Sequence, residues 1–168
     1  MEVAGDFSES EFKGLKNFAA EMQKVTIHGD EVLLSQLALA KGYGATNEQA
    51  KEIVKISADM AAALGKSLPE STAQIAKMLG GYAGELGEVV SGLKGVTQEE
   101  LKAGKGFAIV KKEFDGRAVK QVKTFSGSLK QLLGVWGDAQ EAIGGPINNV
   151  LMPLFHRMKA SIDHLTPT

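Results

Sequence analysis

Residues 46–65, TNEQAKEIVKISADMAAALG, decide the fold class. Thr46 stands with Gln49 three residues on, the spacing at which a hydroxyl and a side-chain amide satisfy each other's backbone N–H groups at a helix start. Ala50, Ile53, Val54, Ser57, Met60, Ala61 and Leu64 then recur at steps of three, one, three, three, one and three. That is one stripe of an amphipathic helix. Gly65 supplies a left-handed stop.

The same punctuation extends in both directions. A helix is predicted from about Ser8 to Lys24, with Ser8 and Glu11 at capping-box spacing and Phe12, Leu15, Phe18, Ala19 and Met22 on one face. A second should start at Asp30, run through Val32, Leu33, Leu37, Leu39 and Ala40, and stop at Gly42 and Gly44. Ser67, Pro69 and Glu70 open a fourth, with Leu68, Thr72, Ile75, Ala76 and Leu79 as its face and Gly80-Gly81 as its end. Residues 80–95 carry six glycines and read either as a loop or as a frayed helix. A short helix follows from Thr97, boxed by Glu100 and ended by Gly104. No strand pattern survives: VLLSQLALA and FAIV fit a 3.6-residue period better than alternation.

Beyond residue 106 the pattern changes. Phe107, Val110, Phe114, Ala118, Val122, Phe125, Leu129, Leu132, Trp136, Ala139 and Ile143 follow one another at steps of three and four. One unbroken helix over this span would be a rod of about 55 Å, too long for the small bundle before it, so part of its stripe should meet another helix or another chain. Gly116, Gly127, Gly134 and Gly137 interrupt the stripe; each costs about 1 kcal/mol relative to Ala, and they either divide the rod or admit a close neighbour. Gly144-Gly145-Pro146 breaks it outright, and a last helix carries Ile147, Val150, Leu151 and Leu154. The expected architecture is therefore all-α. A bundle of about five short helices fills residues 1–106. Two long amphipathic helices, elongated or coiled-coil, fill residues 107–168 and meet at Gly144–Pro146.

Composition narrows the function. The 168 residues contain no Cys, which removes disulfides, thiol nucleophiles and thiolate metal sites. No apolar run is long enough to span a bilayer, and the acidic start MEVAGDFSES lacks the apolar region of a secretory signal. Residues 1–100 hold 9 Lys/Arg against 15 Asp/Glu, whereas residues 101–130 hold 8 against 2. The basic segment is either a solvated face or a surface for nucleic acid. Its Phe107, Phe114 and Phe125 could stack on bases, but they fall on the apolar stripe, which points to burial.

Catalytic patterns are missing. His28, His156 and His164 form no metal-binding helical pair, and Gly80-Gly81-Tyr82-Ala83-Gly84 lacks the spacing of a phosphate loop. No nucleophile elbow is present. Glu52 and Asp59, seven apart with Lys51 and Lys55 nearby, read as surface ion pairing along a helix. No catalytic, cofactor or metal residue is predicted. An enzyme would need a deep polar pocket placing His28 or His156 beside a carboxylate.

Several stretches resemble a known family. Phe12-Lys13-Gly14-Leu15, then KVTIHGDEVLLSQLALAKGYGATNEQAKEIVKISADMAAALGKSLPESTAQIAKMLGG over residues 24–81, then TQEELKAGKG and EFDGRAVKQVKTFSGSLKQLLGVWGDAQEAIGGPI, follow the order of elements in siphophage and prophage tail-length tape measure proteins of the lambda-like kind. The resemblance covers about residues 10–155. It implies a fragment or short member of a structural virion family whose helical chains lie together inside the growing tail tube and set its length. It implies no catalytic residues. Tail-tube and tail-tip proteins are the implied partners, and the virion tail, or the host cytoplasm during assembly, is the implied location. Self-association is expected through the stripe at Phe107, Phe114, Phe125, Leu132 and Trp136. The alternative is a nucleic-acid-binding helical module using the basic 102–123 segment.

Overall fold

The computed structural model describes residues 9–124, 129, 130 and 132–134. The chain divides into two units, residues 1–132 and 133–168, and the architecture below is that of the first.

The fold is all-α, with no strand among the described residues. In order, α1 is Glu9–Val25, α2 Asp30–Gly42, α3 Asn47–Leu64 and α4 Leu68–Ala76, which tightens into a 3-10 turn at Lys77–Gly80. Then come α5 (Leu86–Val89), a 3-10 turn (Ser91–Leu93), α6 (Gln98–Lys102), α7 (Lys105–Phe114) and α8 (Arg117–Val122).

The helix starts follow from local chemistry. Thr46 Oγ1 accepts the Gln49 amide at 3.2 Å, while the Thr46 amide donates to Gln49 Oε1 at 2.9 Å. Thr97 and Glu100 repeat the exchange at 3.3 and 2.9 Å. Ser67 Oγ accepts the Glu70 amide at 3.3 Å, with Pro69 in the first turn. Each cap satisfies donors that the helix itself leaves orphaned, and a cap of this kind contributes about 1 kcal/mol. Gly65 closes α3 at φ 66°. The box proposed at Ser8 lies outside the described residues. Within 80–95 the chain is neither open loop nor one frayed helix: two short turns bury Leu86, Val90 and Leu93 and leave Val89 exposed.

Packing centres on α3, which lies against α1, α2, α4, α7 and α8. The expected stripe is buried from Ala50 through Ala61, with Leu64 at the surface. Ile56, Ala58 and Asp59 are buried as well, so the buried face is wider than the sequence period indicates, while Glu48, Glu52 and Lys55 keep one strip exposed. Ser57 and Thr72 bring hydroxyls into this core, and each donates to the carbonyl one turn back, Ile53 O at 2.6 Å and Leu68 O at 2.9 Å. Those bonds remove the cost of burying an unpaired polar atom.

Phe107, Val110, Phe114 and Ala118 belong to the same core as the helices before them, contrary to the expected boundary. The 106/107 division falls inside α7, and the first unit extends to residue 132. Nor is the apolar stripe one rod. The helix stops at Phe114, the chain turns through Asp115 and Gly116, the latter at φ 74°, and α8 restarts at Arg117. Phe107, Val110, Phe114 and Ala118 stay in register across this corner because α7 and α8 both face α3. The break at Gly144–Pro146 and the last helix lie outside the described residues.

Gly81 sits where α4 and its 3-10 turn meet α6. It has φ 86°, and a Cβ there would lie 3.2 Å from the backbone carbonyl oxygen of Gln98. Gly65, also left-handed, faces open space. Gly65→Ala should therefore cost about 1–2 kcal/mol for the conformation alone. Gly81→Ala should cost at least about 1 kcal/mol more, because the backbone must also move. Urea unfolding of the two variants measures the difference.

Candidate functional site

The corner between α7 and α8 closes over the middle of α3 and the end of α1. A cavity of about 130 Å³ lies there. Met22 and Val25 of α1, and Ala118 and Val119 of α8, give it apolar walls. Thr26, Lys55, Asp59 and Asp115 give it polar ones.

Asp59 is the unusual group. Its residue is only 6% exposed, and its Oδ1 accepts the Ala118 amide at 2.9 Å across 59 residues of sequence. Ala118 is the second residue of α8, so an acid on one helix caps another, helped by the Gly116 amide. A negative group at a helix N-terminus also meets the favourable end of the helix dipole. Burial nevertheless raises the Asp59 carboxyl above the ordinary carboxylate range, and the Asp115 charge adds to the rise. The two backbone amides and Lys55 oppose it without cancelling it.

This corrects the reading of Glu52 and Asp59 as a surface pair. Glu52 does reach a lysine, Lys111 of α7, at 3.8 Å, whereas Asp59 turns inward. Sequence spacing missed it because its partner is an amide supplied by the tertiary fold. The available signal was a lone charge inside the small-residue run Ser57-Ala58-Asp59-Met60-Ala61.

The expected contact stripe also changes character. Phe107 and Phe114 are buried in the unit's own core, since α7 packs on α3, and so they are not presented to a second chain. Leu132 is 50% exposed. Phe125 and Trp136 lie outside the described residues.

Other polar and titratable groups join parts of the fold. The His28 amide donates to Thr26 Oγ1 at 3.3 Å in the turn between α1 and α2. Burial, with a smaller effect from the Lys130 charge, lowers the His28 imidazole below its usual range. Lys66 bridges Glu70 at 2.7 Å and Glu85 at 3.3 Å, tying α4 to the segment before α5. Lys105 binds Glu100 at 2.5 Å and holds that carboxyl down. His156 and His164 lie outside the described residues. Among the described residues no group of three His, Asp or Glu side chains could hold a metal ion, and no helix is long and apolar enough to cross a membrane.

No family model, curated protein or solved structure matches the chain.

Asp59→Ala removes the acceptor for α8 and should cost about 1–2 kcal/mol at neutral pH, the usual effect of losing a cap. Asp59→Asn keeps an oxygen acceptor and sheds the buried charge, so it should be at least as stable as the parent at pH 7. The sign follows from linkage. A carboxyl raised on folding binds its proton more tightly in the native state, so its contribution falls as pH rises from the unfolded value through the native one. Thermal unfolding of both variants across that range checks the order.

Proposed function

We propose that this chain is a non-enzymatic structural protein of a phage or prophage tail, a tape measure segment that acts by helix–helix packing during tail assembly. The observation that carries this reading is the run 24–81. Its resemblance to tape measure proteins lies in an ordered succession of helices punctuated by glycine. In the fold, α2, α3 and α4 with its 3-10 turn occupy that run, followed by left-handed glycines at 44, 65 and 81. Thr46, Ser67 and Thr97 in their caps, and Lys66 in its tie from α4 to the segment before α5, support the same reading, because these polar side chains serve helix packing. The cavity beside Asp59 is small, and its buried acid already holds the α8 amide.

Mass spectrometry of purified tails from the producing cell should find the chain. Its absence from tails that are otherwise complete would overturn the assignment. Self-association, if it uses the stripe, must use what Phe107 and Phe114 leave free. Leu132→Asp should reduce oligomer formation in sedimentation velocity while leaving the melting temperature nearly unchanged. Phe114→Ala should instead destabilise the unit by about 3–5 kcal/mol, as expected for emptying a core aromatic site.

One observation favours a second reading, a nucleic-acid-binding module. Lys105 and Lys111 have acidic partners, whereas Lys102, Lys112, Arg117, Lys120 and Lys123 form no ion pair among the described residues. On this reading duplex DNA binds at low salt and is released steeply as salt rises, because each phosphate contact frees counterions. Fluorescence anisotropy of a labelled duplex, with Lys120→Glu and Lys123→Glu for comparison, reads the slope. A flat signal at low salt removes this reading.

A further inference from the structure

We infer that the Asp59 carboxyl and the first turn of α8 form a proton-sensitive latch, which grips α8 more tightly in mild acid than at neutral pH. The inference is independent of the proposed function and rests on the geometry of the α7–α8 corner.

α8 is a short helix packed on α3, with a smaller contact to α1. It spans six residues, too few to persist as an isolated helix. Ala118 is its one buried residue, while Val119, Lys120 and Lys123 are exposed. The bond from the Ala118 amide to Asp59 Oδ1 is a directional tie between the first turn of α8 and α3. It is made by a carboxyl that is nearly excluded from water and shares the wall of one cavity with a second carboxyl, Asp115.

The neighbours set the sign. On α3, Lys55 favours the ionised acid; on the corner, Asp115 opposes it. From α8 come the Ala118 amide and the apolar Val119, and from α1 and the following turn come only Met22, Val25 and Thr26, none of which titrates. Docking α8 strips water from Asp59 and holds it beside the exposed Asp115; lifting α8 returns Asp59 to water. Burial and like-charge repulsion together outweigh the amides and Lys55, as the raised carboxyl shows. The docked state thus takes up a proton that the undocked state gives back. A neutral carboxyl keeps its carbonyl oxygen as an acceptor for Ala118, so the tie survives protonation. Acid then closes the latch and neutral pH loosens it.

Amide hydrogen exchange of the full chain tests this, read at Ala118 and in α3 and corrected for the intrinsic dependence of exchange on pH. In the parent, protection at Ala118 should rise as pH falls from 7 towards the ordinary carboxylate range at about 4, and by no more than the tenfold per pH unit that one proton allows. Protection in the centre of α3 should rise less. Asp59→Asn should flatten the Ala118 profile, and Asp115→Asn should make it shallower. Protection at Ala118 that does not change with pH in the parent overturns the latch. So does a slope that persists in Asp59→Asn, or an equal rise at Ala118 and in α3, which would place the proton effect on the whole unit. If Asp59→Asn does not fold, the parent and Asp115→Asn profiles decide between the same outcomes.

Discussion

The first unit is built around the need to cover the wide buried face of α3. A helix exposed on one face can be satisfied by a single partner, but one that buries Ala50, Ile53, Val54, Ile56, Ser57, Ala58 and Met60 needs several. Its small residues let neighbouring helices approach closely. The ring of α1, α2, α4, α7 and α8 around it follows from that demand. So does the shortness of the outer helices, because each covers one strip of a helix only 18 residues long.

This constraint explains why the chain turns after Phe114. A straight continuation would carry the apolar stripe past the end of α3 into water. The turn at Asp115-Gly116 folds it back, so that Ala118 can reach the same core as Phe107 and Val110. The turn leaves the first amides of α8 without partners, and no local Ser or Thr stands there to take them. Asp59 does, from a helix far away in sequence. A buried charge is the consequence, with the carboxyl raised by loss of water and by Asp115.

Polar groups elsewhere show the same economy. Thr46, Ser67 and Thr97 fix helix starts, Ser57 and Thr72 bond to their own helices, and Lys66 and Lys105 tie neighbouring segments together. What is left over is a set of cations along α6 to α8 and scattered exposed apolar residues such as Tyr82, Val89 and Leu132.

Much of this was legible in the sequence, because helix existence and helix ends are local matters. Capping boxes at Thr46 and Thr97, the Ser67 cap, the stop at Gly65 and the stripe of α3 depend on residues within one or two turns of each other, and period and cap spacing reveal them. The partner of each stripe was not legible. The same 3.6-residue period along Phe107, Phe114 and Ala118 describes a rod meeting another chain and a bent pair of helices folded onto α3. Only the tertiary structure separates these, since covering α3 more completely favours the bend. Asp59 is the sharpest case: local spacing assigns it to surface pairing, and the fold makes it the cap of a distant helix, because hydrogen bonding and burial are settled by whatever surrounds a side chain in space.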